Sequence, residues 1–235
     1  MTETPGPAHS QTLSRGVRTL EILAAAPGPL TIAEVATQLG VHRSIAYRIV
    51  RTLEDHSLVV RDSAGRLAPG PGLAVLARGV SRDLQSAALP ELTELSQSLA
   101  MTAFVVMWDR EECVTLAAVE PRHSGATLAQ HPGTRHPVGV GAPGIALQSL
   151  YTPEQWRIQA PGQVYRPEAA EAARLGYATS HDEVIAGLSS VAAPVRIPGG
   201  RPAAVAVVYI RNDQDPGTIG TAVHAAASRI ESALA

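Results

Sequence analysis

The stretch that decides the fold is TIAEVATQLGVHRSIAYRIVR, residues 31–51. It opens with a predicted capping box, in which the Thr31 side chain accepts from the backbone of Glu34 and the Glu34 carboxylate reaches back to Thr31. Gly40 supplies the tight turn at which this helix ends. A second helix is predicted from about His42 to Asp55. Two short helices joined at a glycine turn predict a helix-turn-helix unit.

The second helix has two chemically different faces. Apolar side chains recur on the side that is expected to pack on the first helix: Ile45, Ile49, Val50 and Leu53. Basic and hydroxyl-bearing side chains recur on the other: Arg43, Ser44, Tyr47, Arg48 and Arg51. Arginine suits guanine edges and phosphates, and the hydroxyl groups can bond either. The polar face is therefore predicted to enter a groove of double-stranded DNA.

A β-hairpin is predicted directly after this helix. Leu58–Arg61 and Arg66–Ala68 have strand character, and Asp62–Gly65 forms the turn between them. Arg61 and Arg66 flank that turn, where a wing can touch the DNA backbone or minor groove. The predicted DNA-binding residues are Thr31, Arg43, Ser44, Ile45, Tyr47, Arg48, Arg51, Arg61 and Arg66.

Two other interpretations of this region stay open. A basic helix face is often only the solvated side of an amphipathic helix, and helix-turn-helix units also serve as protein-interaction modules. Here the capping box, glycine turn, basic face and hairpin follow one another within residues 31–68. That order is typical of a winged helix-turn-helix and favours DNA binding.

The flanking sequence predicts the domain limits. A first helix with one apolar stripe is indicated by Leu13, Val17, Leu20 and Ala24. Pro69–Gly72 is the clearest break in the chain, because proline and glycine interrupt regular structure. We predict a DNA-binding domain over residues 10–69, a linker helix within residues 70–82 and a second domain over residues 83–235.

The second domain alternates between helical and strand patterns. Helices are predicted over residues 83–99, from Thr152, over residues 167–175 and at the C-terminus. Strands are predicted over residues 102–108, 113–119, 128–130, 177–180, 191–197 and 203–210. The pattern predicts an α+β domain, a mixed sheet with flanking helices.

Composition narrows the class of protein. None of the apolar runs among the 235 residues approaches the roughly 18–20 residues that cross a bilayer. The first residues lack a secretory pattern and Cys113 is the single cysteine, which together predict a cytoplasmic protein with no membrane partner. Residues 1–80 carry eight arginines against six acidic residues, a bias that permits contact with nucleic acid there.

Several segments, taken in order, carry a family resemblance. They are Leu13-Ser14-Arg15, Leu20-Glu21-Ile22-Leu23, residues 41–48, Gly65-Arg66-Leu67, Gly70-Pro71, residues 133–137, Ala142-Pro143-Gly144, residues 175–178, Glu183 and residues 187–195. From Leu13 to its end the chain resembles the IclR family of bacterial transcriptional regulators. The resemblance implies a GAF-like effector-binding domain, a homodimer or dimer of dimers, a pseudo-palindromic operator and no cofactor. We favour repression over activation.

The resemblance also implies an effector pocket. Carried over to this sequence, the effector-binding residues are Leu128, Gly141, Ala142, Pro143, Ser180, Ser190, Val207 and Tyr209. Several depart from the family pattern: Ser180 stands where Asp is usual, and Val207 and Tyr209 where small hydroxyl residues are usual. These departures predict a less polar pocket and an apolar or aromatic effector. A degenerate pocket that binds nothing is the alternative.

Other motifs indicate no catalytic or metal site. Gly139–Gly144 spells G-x-G-x-x-G, but residues 133–137 do not resemble the buried parallel strand that a dinucleotide site needs. His123, His131 and His136 are irregularly spaced for metal ligands. The acids of residues 109–112 are predicted to form a polar hairpin turn, and Cys113 a buried thiol. We predict no enzymatic activity; an enzyme with an appended helical module and a protein-interaction adaptor are the alternatives.

Overall fold

The computed structural model describes residues 10–122, 130–210 and 214–235. The chain divides into two compact units that meet in sequence between Val80 and Ser81. Among the described residues, no helix is long and apolar enough to cross a membrane.

The N-terminal unit is a winged helix-turn-helix. Its elements are α1 (Gln11–Ala25), α2 (Ile32–Leu39), α3 (Arg43–Asp55), β1 (Val59–Arg61), β2 (Leu67–Pro69) and α4 (Gly72–Ala77). The Thr31–Glu34 capping box starts α2, and Gly40 ends it in the left-handed region at φ 66°. Strands β1 and β2 pair antiparallel, and Leu67 also bridges to Leu30. The predicted helix-turn-helix and wing are confirmed.

The apolar stripe predicted on α1 is only partly buried. Leu13 is 68 % exposed and Val17 48 % exposed, whereas Thr19 and Leu23 are the buried residues of the helix. Thr19 can be buried because its hydroxyl donates to the carbonyl of Arg15 at 2.8 Å. A hydroxyl group that has a hydrogen-bond partner can be buried at little cost in free energy. The buried face of α1 therefore does not coincide with its most apolar side chains.

The wing is joined tightly to the end of α3. The amide of Gly70 donates to the carbonyl of Leu58 at 2.8 Å, and the amide of Gly72 donates to that of Ser57 at 2.9 Å. A Cβ on Gly70 would collide with the Ser57 carbonyl, and one on Gly72 would lie 2.8 Å from the carbonyl oxygens of His56 and Ser57. Glycine is therefore required for this close approach.

The predicted linker helix is shorter than expected. Helix α4 ends at Ala77, and the next helix begins only at Arg82. Ser81 between them has φ 45°, a left-handed conformation that a continuous helix does not contain. Residues 78–81 therefore interrupt the helix that the sequence predicts from Leu73 to Arg82.

The C-terminal unit is an α+β domain, as predicted. Its helices are α5 (Arg82–Leu99), α6 (Gly141–Gln148), α7 (Pro153–Gln159), α8 (Glu168–Leu175) and α9 (Pro216–Leu234). Its strands are β3 (Thr102–Asp109), β4 (Glu112–Val119), β5 (Arg135–Pro137), β6 (Ala178–His181), β7 (Leu188–Val195) and β8 (Ala203–Ile210). The strands form one sheet in the order β5-β4-β3-β8-β7-β6. Every described pairing is antiparallel, so the sheet is not mixed.

Each face of the sheet has its own apolar core. Helices α5 and α9 cover one face, where Val105, Val191 and Val205 are buried. Helices α6, α7 and α8 cover the other, where Phe104 and Ala206 are buried. Because alternate residues of a strand point to opposite faces, neighbouring residues of β8 belong to different cores. This alternation determines which residues of β8 face each group of helices.

Candidate DNA-binding face and ligand cavity

The polar face of α3 is exposed along its whole length. Its exposed side chains are Arg43, Ser44, Tyr47, Arg48 and Arg51, and Tyr47 retains 50 % of its accessible surface. Within the part of the chain that the structure describes, none of these three guanidinium groups has a hydrogen bond or ion pair. The opposite side of α3 is held in the core by Ala46, Ile49, Val50 and Leu53. The helix is therefore fixed while its positive charges stay free.

His42 belongs to this face and was not predicted as a site residue. It is the exposed N-cap of α3, and its Nδ1 lies 2.9 Å from the Ser44 hydroxyl oxygen. The N-terminal residues of a recognition helix are the ones that contact base edges. Its position immediately before the helix was the available sequence signal.

Two residues of the predicted DNA-binding set serve the unit's own structure. The Thr31 hydroxyl donates to the Glu34 carboxylate at 2.8 Å and accepts from the Glu34 amide at 3.3 Å. Ile45 is partly buried and packs against the core of the unit. Thr31 thus caps α2, and Ile45 helps to hold α3 against the core.

The two wing arginines have partners within the chain. Arg61 Nε donates to the Glu54 carboxylate at 3.0 Å, and its NH1 group donates to the Gly65 carbonyl at 3.1 Å. Arg66 donates to the Pro29 carbonyl at 3.2 Å. The charge of Arg61 is thus neutralised by Glu54, unlike the charges on the face of α3.

A cavity of about 60 Å³ lies in the C-terminal unit at the N-terminus of α6. Its lining comes from five strands, from α6, from the segment between β6 and β7, and from one residue that precedes β5: Phe104, Gln130, His136, Gly141, Pro143, Ser180, Glu183, Val184, Ile185, Leu188, Ser189, Ser190 and Val208. The structure thus brings together four of the predicted effector-binding residues: Gly141, Pro143, Ser180 and Ser190.

The other predicted pocket residues fall elsewhere. Val207 and Tyr209 lie in the core between the sheet and helices α5 and α9, on the face opposite the cavity. Their neighbour Val208 lines the cavity instead, because successive residues of a strand face opposite sides of the sheet. Ala142 is fully buried beside the cavity, and Leu128 lies outside the described residues.

The first backbone amides of α6 are bonded to side chains of the same chain. The Gly141 amide donates to the Glu183 carboxylate at 3.0 Å, and the Ala142 amide donates to the Ser180 hydroxyl at 2.8 Å. Pro143, the next residue, has no N–H group. A helix N-terminus ordinarily binds anions through such amides, but here a carboxylate of the protein already holds that position.

Glu183 is in turn held by Arg166. The guanidinium donates to its two carboxylate oxygens at 2.8 Å and 3.1 Å, and also bonds Glu168. The hydrogen bond from Arg166, with a smaller contribution from the Gly141 amide, lowers the pKa of Glu183 although partial burial opposes this. Glu183 stands in the family-like signature of the sequence, but its contact with α6 was not predicted.

His136 is the second cavity residue whose role was not predicted. Its side chain is buried, the residue being 8 % exposed, and its Nε2 atom has no hydrogen-bond partner among the described residues. Burial lowers the pKa of the imidazole, although Glu112 opposes this, so the ring is neutral near pH 7. No cluster of metal ligands is found within residues 10–122, 130–210 and 214–235. His123 lies outside these ranges.

The G-x-G-x-x-G stretch forms the two residues before α6 and the first turn of that helix. Contrary to expectation, a strand does precede it, since β5 covers Arg135–Pro137. That strand is a short antiparallel edge strand paired with β4, not the central parallel strand of a dinucleotide site. Gly144 packs against the backbone carbonyl of Val138, where a Cβ would collide.

The candidate catalytic groups are engaged in other contacts. Asp109 pairs with Arg201, and Glu112 pairs with Arg135 at 2.7 Å. Burial raises the pKa of the Cys113 thiol to about 12, so it remains protonated at neutral pH. A protonated, buried thiol is a poor nucleophile.

Comparison with known proteins identifies the domain that forms the N-terminal unit. A family model described as the IclR helix-turn-helix domain matches residues 12–63, which include α1, α2, α3 and β1. Within this chain, residues 12–63 are an IclR helix-turn-helix domain. The sequence resemblance of this region to the IclR family is thereby confirmed.

One curated relative of this chain is a transcriptional regulator. An HTH-type transcriptional regulator of Mycobacterium tuberculosis is 33 % identical over 147 residues, which are 62 % of this chain and 56 % of that protein. The match thus spans little more than half the length of this curated relative.

Solved IclR structures share the fold over nearly the whole chain. An IclR transcriptional regulator from Alicyclobacillus acidocaldarius has a TM-score of 0.80 at 24 % identity and covers 97 % of this chain and 100 % of its own. An IclR homologue from Microbacterium hydrocarbonoxydans, complexed with 4-hydroxybenzoate, has the same TM-score and identity and covers 95 % and 99 %. The α+β fold and its winged N-terminal unit are those of IclR proteins.

Proposed function

We propose that this chain is an IclR-type transcriptional regulator that binds operator DNA through α3 and is controlled by a small-molecule effector in its C-terminal unit. The observation that carries the proposal is the row of exposed arginines at Arg43, Arg48 and Arg51, which have no described partner. Free guanidinium groups on a rigid helix suit phosphates and guanine edges.

Two copies of the chain would read one operator. A homodimer places two α3 helices in successive major grooves, so a two-fold protein recognises a pseudo-palindromic site. His42, Ser44 and Tyr47 supply further polar contacts at the N-terminal half of α3. Arg66 supplies a weaker contact from the wing, because one of its N–H groups already serves Pro29. The protein acts in the cytoplasm, and repression is the favoured outcome of binding.

The effector would bind in the cavity at α6. The Microbacterium homologue was solved with 4-hydroxybenzoate, which supports a small organic effector for this chain. Binding would be coupled to α3 through residues 70–82. Allosteric coupling is typically about 1–3 kcal/mol, which changes DNA affinity roughly 5- to 150-fold.

The decisive experiment measures DNA binding by an Arg48→Ala variant. Fragments recovered from a genome-wide pull-down with the full chain serve as operator, and random DNA serves as reference. We expect operator affinity to fall by about 1–3 kcal/mol if Arg48 contacts a base. Unchanged affinity for both DNAs would remove Arg48 from the interface.

Arg18→Ala is the matched control. It removes the same charge from an exposed position of the same unit, on α1. Its operator affinity should remain within about twofold of the parent, since one distant exposed charge is largely screened by salt. Salt-insensitive binding by the parent chain would favour a protein-interaction adaptor, because phosphate contacts release counterions.

A further inference from the structure

One polar atom in the wall of the cavity lacks a partner. His136 is more than nine-tenths buried, and its Nε2 has no hydrogen bond within the described parts of the chain. Buried polar atoms in native proteins are almost always paired, so each exception needs an explanation. The imidazole lines the cavity, and a bound molecule is the partner available to it there.

The other polar side chains of the cavity wall have partners in the protein. Ser180 accepts from the Ala142 amide, and Ser190 donates to the Val207 carbonyl at 2.9 Å. Gln130 donates to the Thr115 hydroxyl at 2.9 Å, and Glu183 is held by Arg166. These groups are satisfied within the protein, whereas His136 Nε2 is not.

From this contrast, and resting on the proposed effector cavity, we infer that His136 anchors the effector through Nε2 and that the effector presents an uncharged hydroxyl group to it. A hydroxyl donates and accepts, so it satisfies the imidazole in whichever tautomer the ring adopts. A hydrocarbon would leave the buried nitrogen unpaired.

The cavity is unsuited to a carboxylate. An anion at α6 would need free amides, but those of Gly141 and Ala142 are already bonded, and Pro143 has none. The negative charge of Glu183 also faces the cavity. A ligand carboxylate would therefore lose its hydration without gaining a donor, which strongly disfavours its burial.

The rest of the lining suits a small ring. Phe104, Leu188 and Val208 give the cavity an apolar wall. Its volume of about 60 Å³ is below the roughly 150 Å³ that holds a benzene ring, so a ring must displace part of the wall. Val184 and Ile185 are 52 % and 58 % exposed, and they can move outward with little loss of buried area.

The test compares three ring compounds of similar size: phenol, toluene and benzoate. Their binding to the full chain is measured by calorimetry for the parent, His136→Leu and His136→Gln. We expect phenol to bind the parent and benzoate to bind at least tenfold more weakly. His136→Leu should weaken phenol about tenfold, the value of one net hydrogen bond, and leave toluene unchanged or tighter. His136→Gln should keep phenol within about threefold, because its amide also donates and accepts.

Three results would overturn the inference: equal phenol affinity in the parent and His136→Leu, benzoate binding as tightly as phenol, or no binding of any of the three compounds. Thermal unfolding of each variant shows that it is folded. DNA binding by the same preparations is recorded in parallel. Retained operator binding together with any of the three results rejects the anchoring role of His136 and leaves the regulator proposal standing.

Discussion

The α3 face and the α6 N-terminus present polar groups in opposite ways. On α3, Arg48 and Arg51 point to solvent without a described partner. At α6, Glu183 and Ser180 occupy the first two amides, and the cavity wall keeps one unpaired atom on His136. A face rich in unpaired cations suits a large polyanion, whereas a cavity whose charges are paired internally suits a small neutral molecule.

The largest expected effect on operator affinity comes from removing the positive charges of the α3 face. Replacing Arg43, Arg48 and Arg51 together by Ala should lower operator affinity at least about 100-fold, because each arginine contributes about 1–3 kcal/mol. The dependence of affinity on salt should also flatten by roughly 0.9 in slope for each phosphate that the variant no longer neutralises. Fluorescence anisotropy over a salt series measures both quantities.

A matched triple variant makes the comparison specific. Arg15, Arg18 and Arg78 lie in the same unit but outside α3, and replacing all three by Ala removes an equal charge. A similar loss of operator affinity in this control would show that net charge, and not the α3 face, governs binding.

An intermediate effect is expected at the internal anion of α6. Glu183→Gln keeps the shape of the side chain but removes the charge that Arg166 binds, and the pair is about three-quarters buried. We expect a loss of about 1 kcal/mol in the free energy of unfolding of the C-terminal unit, with operator affinity unchanged. Chemical denaturation followed by circular dichroism measures the loss, and Glu171→Gln, in an exposed pair with Arg174, is the control. Equal stabilities for the two variants would contradict the role assigned to Glu183.

The same pair predicts a pH dependence. Because the hydrogen bond from Arg166 lowers the pKa of Glu183 in the folded state, the stabilisation is complete above the ordinary glutamate pKa of about 4.3. It is lost as the pH falls through the lowered folded value, where the carboxylate becomes protonated. The difference in unfolding free energy between the parent and Glu183→Gln should therefore be constant near pH 7 and shrink below about pH 4.3. A difference that grows on acidification would refute this assignment.

The smallest effect is expected in the wing. Arg61→Ala removes a guanidinium that Glu54 already neutralises, so operator affinity should change by less than about threefold. Arg51→Ala, which removes a free guanidinium, should cost more in the same titration. The reverse order would show that Arg61 exchanges its internal partner for DNA.

The sequence predicted the N-terminal unit well because its signals are local. The Thr31–Glu34 capping box and Gly40 each specify a helix end by chemistry within a few residues. Periodicity also located both faces of α3. It failed on α1, where Leu13 and Val17 have helical spacing but face outward. Spacing reveals a stripe, but burial depends on which stripe meets the rest of the domain.

The cavity was harder to predict because its walls are distant in sequence. Strand β8 is apolar on both faces, so its pattern could not distinguish Val207 from Val208. The strand β5 and helix α6 were missed because residues 133–144 are rich in glycine and proline, the composition of a loop. The unpaired state of His136 could be recognised only once β5 and the segment that carries Val184 were placed around one volume.

Gly70 and Gly72, which follow the wing, hold the chain close to the end of α3. Because the amides of Gly70 and Gly72 are tied to the backbone that leaves α3, a pull on Leu73 cannot be absorbed by an intervening loop. The displacement must either break two hydrogen bonds or carry the C-terminal end of α3 with it. A displacement of Leu73 is therefore transmitted directly to the backbone that follows the recognition helix α3.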